Sequence, residues 1–285
     1  MSEEPAKVLP FIEHLVELRK RLIIIVVAVV IGMGFAWSLA DRILLFMEKP
    51  LTGETYLDTA KREGYRYLKE RFPAIYSHAN LEEPPTRPKT THALNYTAPL
   101  EPFFMQCKIS AIAGFVLVLP IVFYQLWAFI APGLTRRERR LVVPFITVAT
   151  VAFCAGALFF LTTIWPFIIN FSLSYETVGL RSWLSLSAYV NFCLRLILLF
   201  GLIAELPVIT LLLSRFGLVS YQFLAPKRKY ALLASAVVAA FHADLVTMFV
   251  IMIPLYLMYE VSVWVALIFG KKKPTPPPGA EAEPA

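Results

Sequence analysis

Residues 230–269 read YALLASAVVAAFHADLVTMFVIMIPLYLMYEVSVWVALIF. As one helix this stretch would be about 60 Å long, twice the roughly 30 Å hydrocarbon core of a bilayer. One crossing cannot absorb it. The polar triplet His242, Ala243, Asp244 divides it into a short span, 230–241, and a full one, 245–269. That division decides whether the chain crosses an even number of times, and so whether its two ends share a side. Upstream lie four further apolar stretches. Residues 22–39 carry no charge, 109–131 contain Pro120, 141–169 are broken late by Pro166, and 188–213 carry Arg195, Glu205 and Pro207.

The composition agrees. Of 285 residues 58% are hydrophobic and 16% charged, with a mean hydropathy of +0.65, whereas soluble domains carry about 25% charged residues. The expected fold is an all-α polytopic membrane protein with six transmembrane helices. A segment 1–21 precedes the membrane domain 22–269, and a tail 270–285 is disordered by composition. The start MSEEPAKVLP is acidic and proline-bearing, and no small-residue cleavage site ends the first apolar run, so the first span is expected to be retained.

Basic residues set the orientation. Arg19, Lys20 and Arg21, the arginines of 136–140, Lys227 to Lys229 and Lys271 to Lys273 all fall on one side of a six-span chain, and short segments opposite offer only Arg181. Both termini are therefore expected in the cytoplasm. Trp37, Trp127, Trp165, Trp183 and Trp264 fall near span ends, where amphipathic rings favour the interface. The extracytoplasmic loop, about 42–101, is expected to hold a short helix over 55–72, started by a Thr55–Asp58 capping box and followed by an extended linker at 82–89.

Ionisable groups in the apolar spans need a reason, since a charge at the bilayer centre costs at least about 2.5–3.5 kcal/mol. Glu205 lies about 12 Å from the cytoplasmic end of its span. It must face protein or a hydrated cavity, or carry a proton. Arg195 is nearer the outer interface and within snorkelling reach of it. The span ending before Asp244 is only about 18 Å long, which suits a locally thinned or partly hydrated, concave face. In FIEHLVELRKRL (11–22), Glu17 can pair with Arg21 one turn on. In GLTRRERRL (133–141), Thr135 and Glu138 fit a capping box. A local role explains each glutamate singly. Together, two carboxylates set among arginines at one membrane surface suit a guanidinium bound through parallel hydrogen bonds, hence an arginine-bearing partner.

The sequence HLVELRKRL (14–22), with LPIVFYQLWAFIAPGL (119–134), RRERR (136–140), AELPV (204–208) and IPLYLMYE (253–260), closely resembles the TatC family, the polytopic receptor subunit of the twin-arginine protein translocase. The resemblance covers about residues 10–270 and implies a concave TatC-like bundle in the bacterial inner membrane. It implies recognition of twin-arginine signal peptides and export of folded proteins, driven by the proton gradient. The matched signal-peptide positions are Glu17, Leu18, Arg19, Arg21 and Glu138. Glu205 and Asp244 match intramembrane polar positions, and Pro50, Phe103 and Phe104 match the extracytoplasmic loop. Implied partners are TatA- and TatB-type single-span subunits, signal peptides, lipid and further copies of the chain, with no nucleic acid. Two departures stand out: His242 and Ala243 replace a common proline pair, and Met248 stands where a glutamine is common.

No Walker motif, GxSxG, HExxH or Cys/His cluster occurs. The histidines at 14, 78, 92 and 242 are scattered, and Cys107, Cys154 and Cys193 lie in separate spans. No enzyme activity, cofactor or metal is therefore expected. The alternative to a receptor is a proton-coupled transporter of a small solute, with Glu205, Arg195 and Asp244 as a relay.

Overall fold

In hydrocarbon every backbone donor must be satisfied within the protein, and a helix does so along its own axis. The computed structural model describes residues 11–52, 63–64, 66–67, 69–71, 93–130, 142–176, 182–241 and 245–270, and among these the only extended pairing is one bridge between Asn95 and Ser185. Two compact units divide the chain, Met1–Ala204 and Glu205–Ala285.

In the first unit α1 (Phe11–Ala36) leads through a 3-10 turn, Trp37–Leu39, into α2 (Ala40–Glu48) and a second 3-10 turn, Lys49–Thr52. Helix therefore continues well beyond the charge-free run 22–39. Next come α3 (Glu101–Leu117) and α4 (Leu119–Ile130), bent by 58° at Val118. Pro120 causes the break: it has no N–H for the carbonyl of Val116, and its ring crowds that oxygen. The helix begins at Glu101 rather than at 109, with Pro102 in a first turn that needs no intrahelical donor. Then follow α5 (Val142–Phe159), a π-helical turn Phe160–Ile164, and α6 (Trp165–Leu173). The wide turn stands immediately before Pro166, which cannot bond the carbonyl of Thr162. The unit ends with α7 (Leu186–Ala204).

Small residues let these helices approach. Gly32 on α1 and Gly114 on α3 meet so closely that a Cβ on Gly32 would lie 2.7 Å from the Gly114 carbonyl oxygen. Helix α1 packs on α3 and α4, while α7 packs on α3 and α5. Between membrane helices such van der Waals contact replaces the hydrophobic drive that lipid removes. Trp165, fully buried, anchors the other end of the core. Its indole N–H donates to the Met47 carbonyl at 3.0 Å, and Tyr189 Oη donates to the same oxygen at 2.6 Å. Pro50 explains why that oxygen is available, since in a 3-10 turn it would be the donor to Met47 and it has no N–H.

The tryptophan expectation needs correction here. Trp37, Trp183 and Trp264 are exposed, but Trp127 and Trp165 are core residues; the internal acceptor for Trp165 and the Phe145 ring 5.1 Å from Trp127 hold them inside.

The second unit holds α8 (Leu206–Arg215), a helical turn Tyr221–Leu224, α9 (Arg228–Ala239) and α10 (Leu245–Phe269). Helices α8 and α9 both pack on α10. Tyr259 Oη donates to the Leu224 carbonyl at 2.8 Å, and Glu260 accepts from Tyr256 Oη at 2.8 Å and from Arg228 Nε at 3.0 Å.

Four stretches are long and apolar enough to cross a membrane, Leu15–Thr52, Val142–Leu173, Leu186–Arg215 and Thr247–Phe269, and the bent pair α3–α4 makes a fifth. Helix α9, at about 18 Å, is the short member of the six-span pattern. The expected helix over 55–72 is helical at 63–64, 66–67 and 69–71. Thr55, Asp58, 82–89, the triplet 242–244 and the tail from 271 lie outside the described residues.

Candidate functional site

Glu17 sits near the start of α1, seated by the helical stretch FIEHLVELRKRL that leads into the apolar run. One turn later Arg21 reaches back. Its Nε donates to Glu17 Oε1 at 3.0 Å, and its Nη2 donates to the same oxygen. Its remaining arm crosses to α4, where Nη1 donates to Gln125 Oε1 at 3.3 Å. Glu17 and Arg21 are each about three-quarters buried, with side-chain exposures of 24% and 22%. The i,i+4 pairing expected from spacing is thus present, and a residue from another helix joins it.

Sequence reasoning passed over Gln125. The signal was available: a primary amide in LPIVFYQLWAFI, among apolar neighbours, needs a partner once buried. Both Arg21 donors converge on Oε1, so among the described residues Glu17 Oε2 accepts no hydrogen bond. Leu18, at 42%, and Arg19 are both exposed. Glu138 and Thr135 lie outside the described residues; among the described residues Glu17 is joined to Arg21, and through it to Gln125.

A second set of predicted residues gathers where α3 and α7 begin. Pro50 is buried beside the doubly bonded Met47 carbonyl. Phe103 and Phe104 are exposed; Phe103 meets Trp37 edge-on at 5.9 Å and Phe104 at 5.9 Å. Glu101 ties the region together. One carboxylate oxygen accepts from the Thr97 N–H at 2.9 Å and the Thr97 hydroxyl at 3.3 Å, and the other accepts from the Ser187 N–H at 2.9 Å. The Ser187 amide is one of the orphan donors in the first turn of α7, and the Thr97 amide belongs to the turn that leads into α3, so one buried carboxylate ties the two helix starts together. The Asn95 bridge, with Asn95 N–H donating to Leu184 O and Leu186 N–H to Asn95 O, both at 2.8 Å, fixes the same junction.

In the second unit, Glu205 is 3% exposed and stands at the break before α8, whose first turn holds Pro207. Asp244 lies outside the described residues. None of Cys107, Cys154 and Cys193 is in a disulfide, and no cluster of metal-ligating side chains occurs among the described residues.

Comparison with known proteins settles the family. Residues 13–254 match the family model described as Sec-independent protein translocase protein (TatC). The chain belongs to the TatC family. Among its relatives, the Sec-independent protein translocase protein TatC of Desulforapulum autotrophicum is 33% identical over 96% of this chain and 89% of its own length. TatC of Aquifex aeolicus is 31% identical over 93% of this chain and 98% of its own. A solved structure described as the twin-arginine translocase receptor TatC superposes with a TM-score of 0.68 at 29% identity, covering 90% of this chain and 98% of that one. This TatC-family chain is therefore an all-helical membrane protein of a protein translocase, and the small-solute transporter alternative falls away.

Proposed function

We propose that this chain is the receptor and core subunit of a twin-arginine export system. It binds twin-arginine signal peptides at the cytoplasmic membrane surface and assembles with single-span subunits of the TatA and TatB type. The carrying observation is the Glu17–Arg21–Gln125 cluster. Glu17 already holds one guanidinium, its second oxygen is open among the described residues, and Gln125 steadies Arg21 from a different helix. An incoming arginine would take Oε2 or displace Arg21 onto Gln125, and Glu138 would receive the second arginine. Leu18 and Arg19, both exposed, would border the peptide.

Charge supports the orientation. Lys227 and Arg228 at the start of α9 and Arg215 at the end of α8 are basic, and cations at that membrane surface indicate the cytoplasm. Both termini would then be inside, in the inner membrane, and Pro50, Phe103 and Phe104 outside. Glu205, buried midway in its span, would meet a polar group of a partner's transmembrane helix, with Asp244 serving the same purpose at the outer turn.

Photocrosslinking in nanodiscs tests the proposal. The purified chain is challenged with a twin-arginine and a twin-lysine signal peptide, alongside Glu17→Ala and Glu138→Ala. Crosslinks selective for the arginine peptide and lost in both variants are expected. Crosslinking indifferent to all three changes would exclude this site.

A further inference from the structure

Two cations stand on exposed surface within the first unit's spans. Lys108 is on α3, about 10 Å along the helix from Glu101, and Arg195 is on α7, about 13 Å along from Leu186. Asn191 lies one turn before Arg195 on the same face, and Lys108 Nζ donates to Asn191 Oδ1 at 2.9 Å. The patch therefore spans two packed helices. Around it the exposed surface is apolar: Phe104 one turn before Lys108, and Leu202 two turns beyond Arg195. Among the described residues neither cation is in an ion pair. Of the acids toward that end, Glu101 is engaged by Thr97 and Ser187, Asp41 by Gln106 at 3.5 Å, and Glu176 by the Ser182 N–H at 2.8 Å.

Helix direction decides which way these charges reach. The Glu101 carboxylate and the Asn95–Ser185 bridge hold the starts of α3 and α7 side by side, so both helices enter the membrane from the same end. Side chains on a helix lean toward its N-terminus. Lys108 and Arg195 thus both lean back toward that surface, where Trp183 and Tyr96 are exposed as interfacial rings usually are. A carboxylate on a partner's helix at mid-depth would lie behind them. A lipid phosphate at the headgroup level lies in front. Lys108 keeps two donors beyond the one given to Asn191, and an arginine offers five.

We propose that Lys108, Asn191 and Arg195 form a binding site for the phosphate of an anionic phospholipid in the leaflet at the Glu101 and Leu186 ends. The two cations hold the two non-bridging oxygens, Asn191 positions the ammonium, and the acyl chains lie along the exposed apolar faces of α3 and α7. Net charge sets the preference: one negative headgroup against two cations favours phosphatidylglycerol over phosphatidylcholine. This site is independent of signal-peptide recognition at Glu17.

Native mass spectrometry of the full chain in detergent reads the site directly. Probes are phosphatidylglycerol, phosphatidylcholine, diacylglycerol and inorganic phosphate. The wild type should retain phosphatidylglycerol over the others. Lys108→Leu with Arg195→Leu should weaken that retention about twenty-five-fold, from about a fivefold effect per cation, and Lys108→Arg with Arg195→Lys should keep it. Leucine suits an exposed apolar face, and circular dichroism checks the helices; should the leucine pair unfold, Lys108→Gln with Arg195→Gln makes the same comparison. Equal retention of phosphatidylglycerol and diacylglycerol, or loss-free charge removal, overturns the proposal. Inorganic phosphate binding as well as the lipid, or displacement of the lipid by an acidic single-span peptide, overturns the lipid assignment.

Discussion

Gly114→Ala places a methyl group where α1 and α3 touch backbone to backbone. The new Cβ would lie 2.6 Å from the Gly32 carbonyl carbon and 2.7 Å from Met33 Cα, with Met33 N closer still. None of these is the movable end of a side chain, so α1 must retreat by about 1 Å to restore ordinary contact. Overpacking costs about 1–3 kcal/mol, and a backbone clash belongs at the upper end. A loss of 2–3 kcal/mol lowers the melting temperature by about 4–12 °C for a chain of comparable size. The shift also reaches the candidate site, because α1 carries Arg21 and α4 carries Gln125, whose 3.3 Å bond has little slack. Gly34, on the same helix, is the control: a Cβ there meets nothing within 4 Å. Gly34→Ala should be neutral or stabilising by up to about 1 kcal/mol, since glycine disfavours helix. Differential scanning fluorimetry of both variants in the same detergent decides the matter. Equal melting temperatures for Gly114→Ala and Gly34→Ala would refute the close-contact reasoning.

Glu101→Ala should free the amides of Thr97 and Ser187, so their hydrogen exchange should accelerate selectively, with a loss of about 1.5–3 kcal/mol as expected for bonds to a charged acceptor. Tyr189→Phe should remove one of two donors from the Met47 carbonyl and lower stability by about 1 kcal/mol, read as a melting shift, while Trp165 keeps the other bond. Arg228→Leu should change stability by less than about 1 kcal/mol, because Arg228 is 44% exposed and Tyr256 still donates to Glu260; a larger drop in denaturation would show a bond stronger than its exposure allows.

Much of the architecture was legible before any coordinates. The apolar runs and the short crossing before Asp244 follow from length and charge, which act on neighbours along the chain. The pairing of Glu17 with Arg21 was legible for the same reason, since one helical turn brings them together. Gln125 was not. Its role depends on which face of α4 lies against α1, and that is set by how closely Gly32 and Gly114 allow the helices to approach. Trp127 and Trp165 are buried although they fall near span ends, because position along a span gives depth in the membrane but not direction around the helix axis.

Sequence by itself determined the class, the helical segments, the family and the residue types at the polar end of the first span. Those properties come from local periodicity and from the cost of charge in hydrocarbon. Only tertiary structure decided that one carboxylate, Glu101, closes the starts of two helices, that the Met47 carbonyl takes two donors from α6 and α7, and that Lys108 and Arg195 share a face. Each joins residues far apart in the chain, and such contacts follow from the rotation and separation of packed helices.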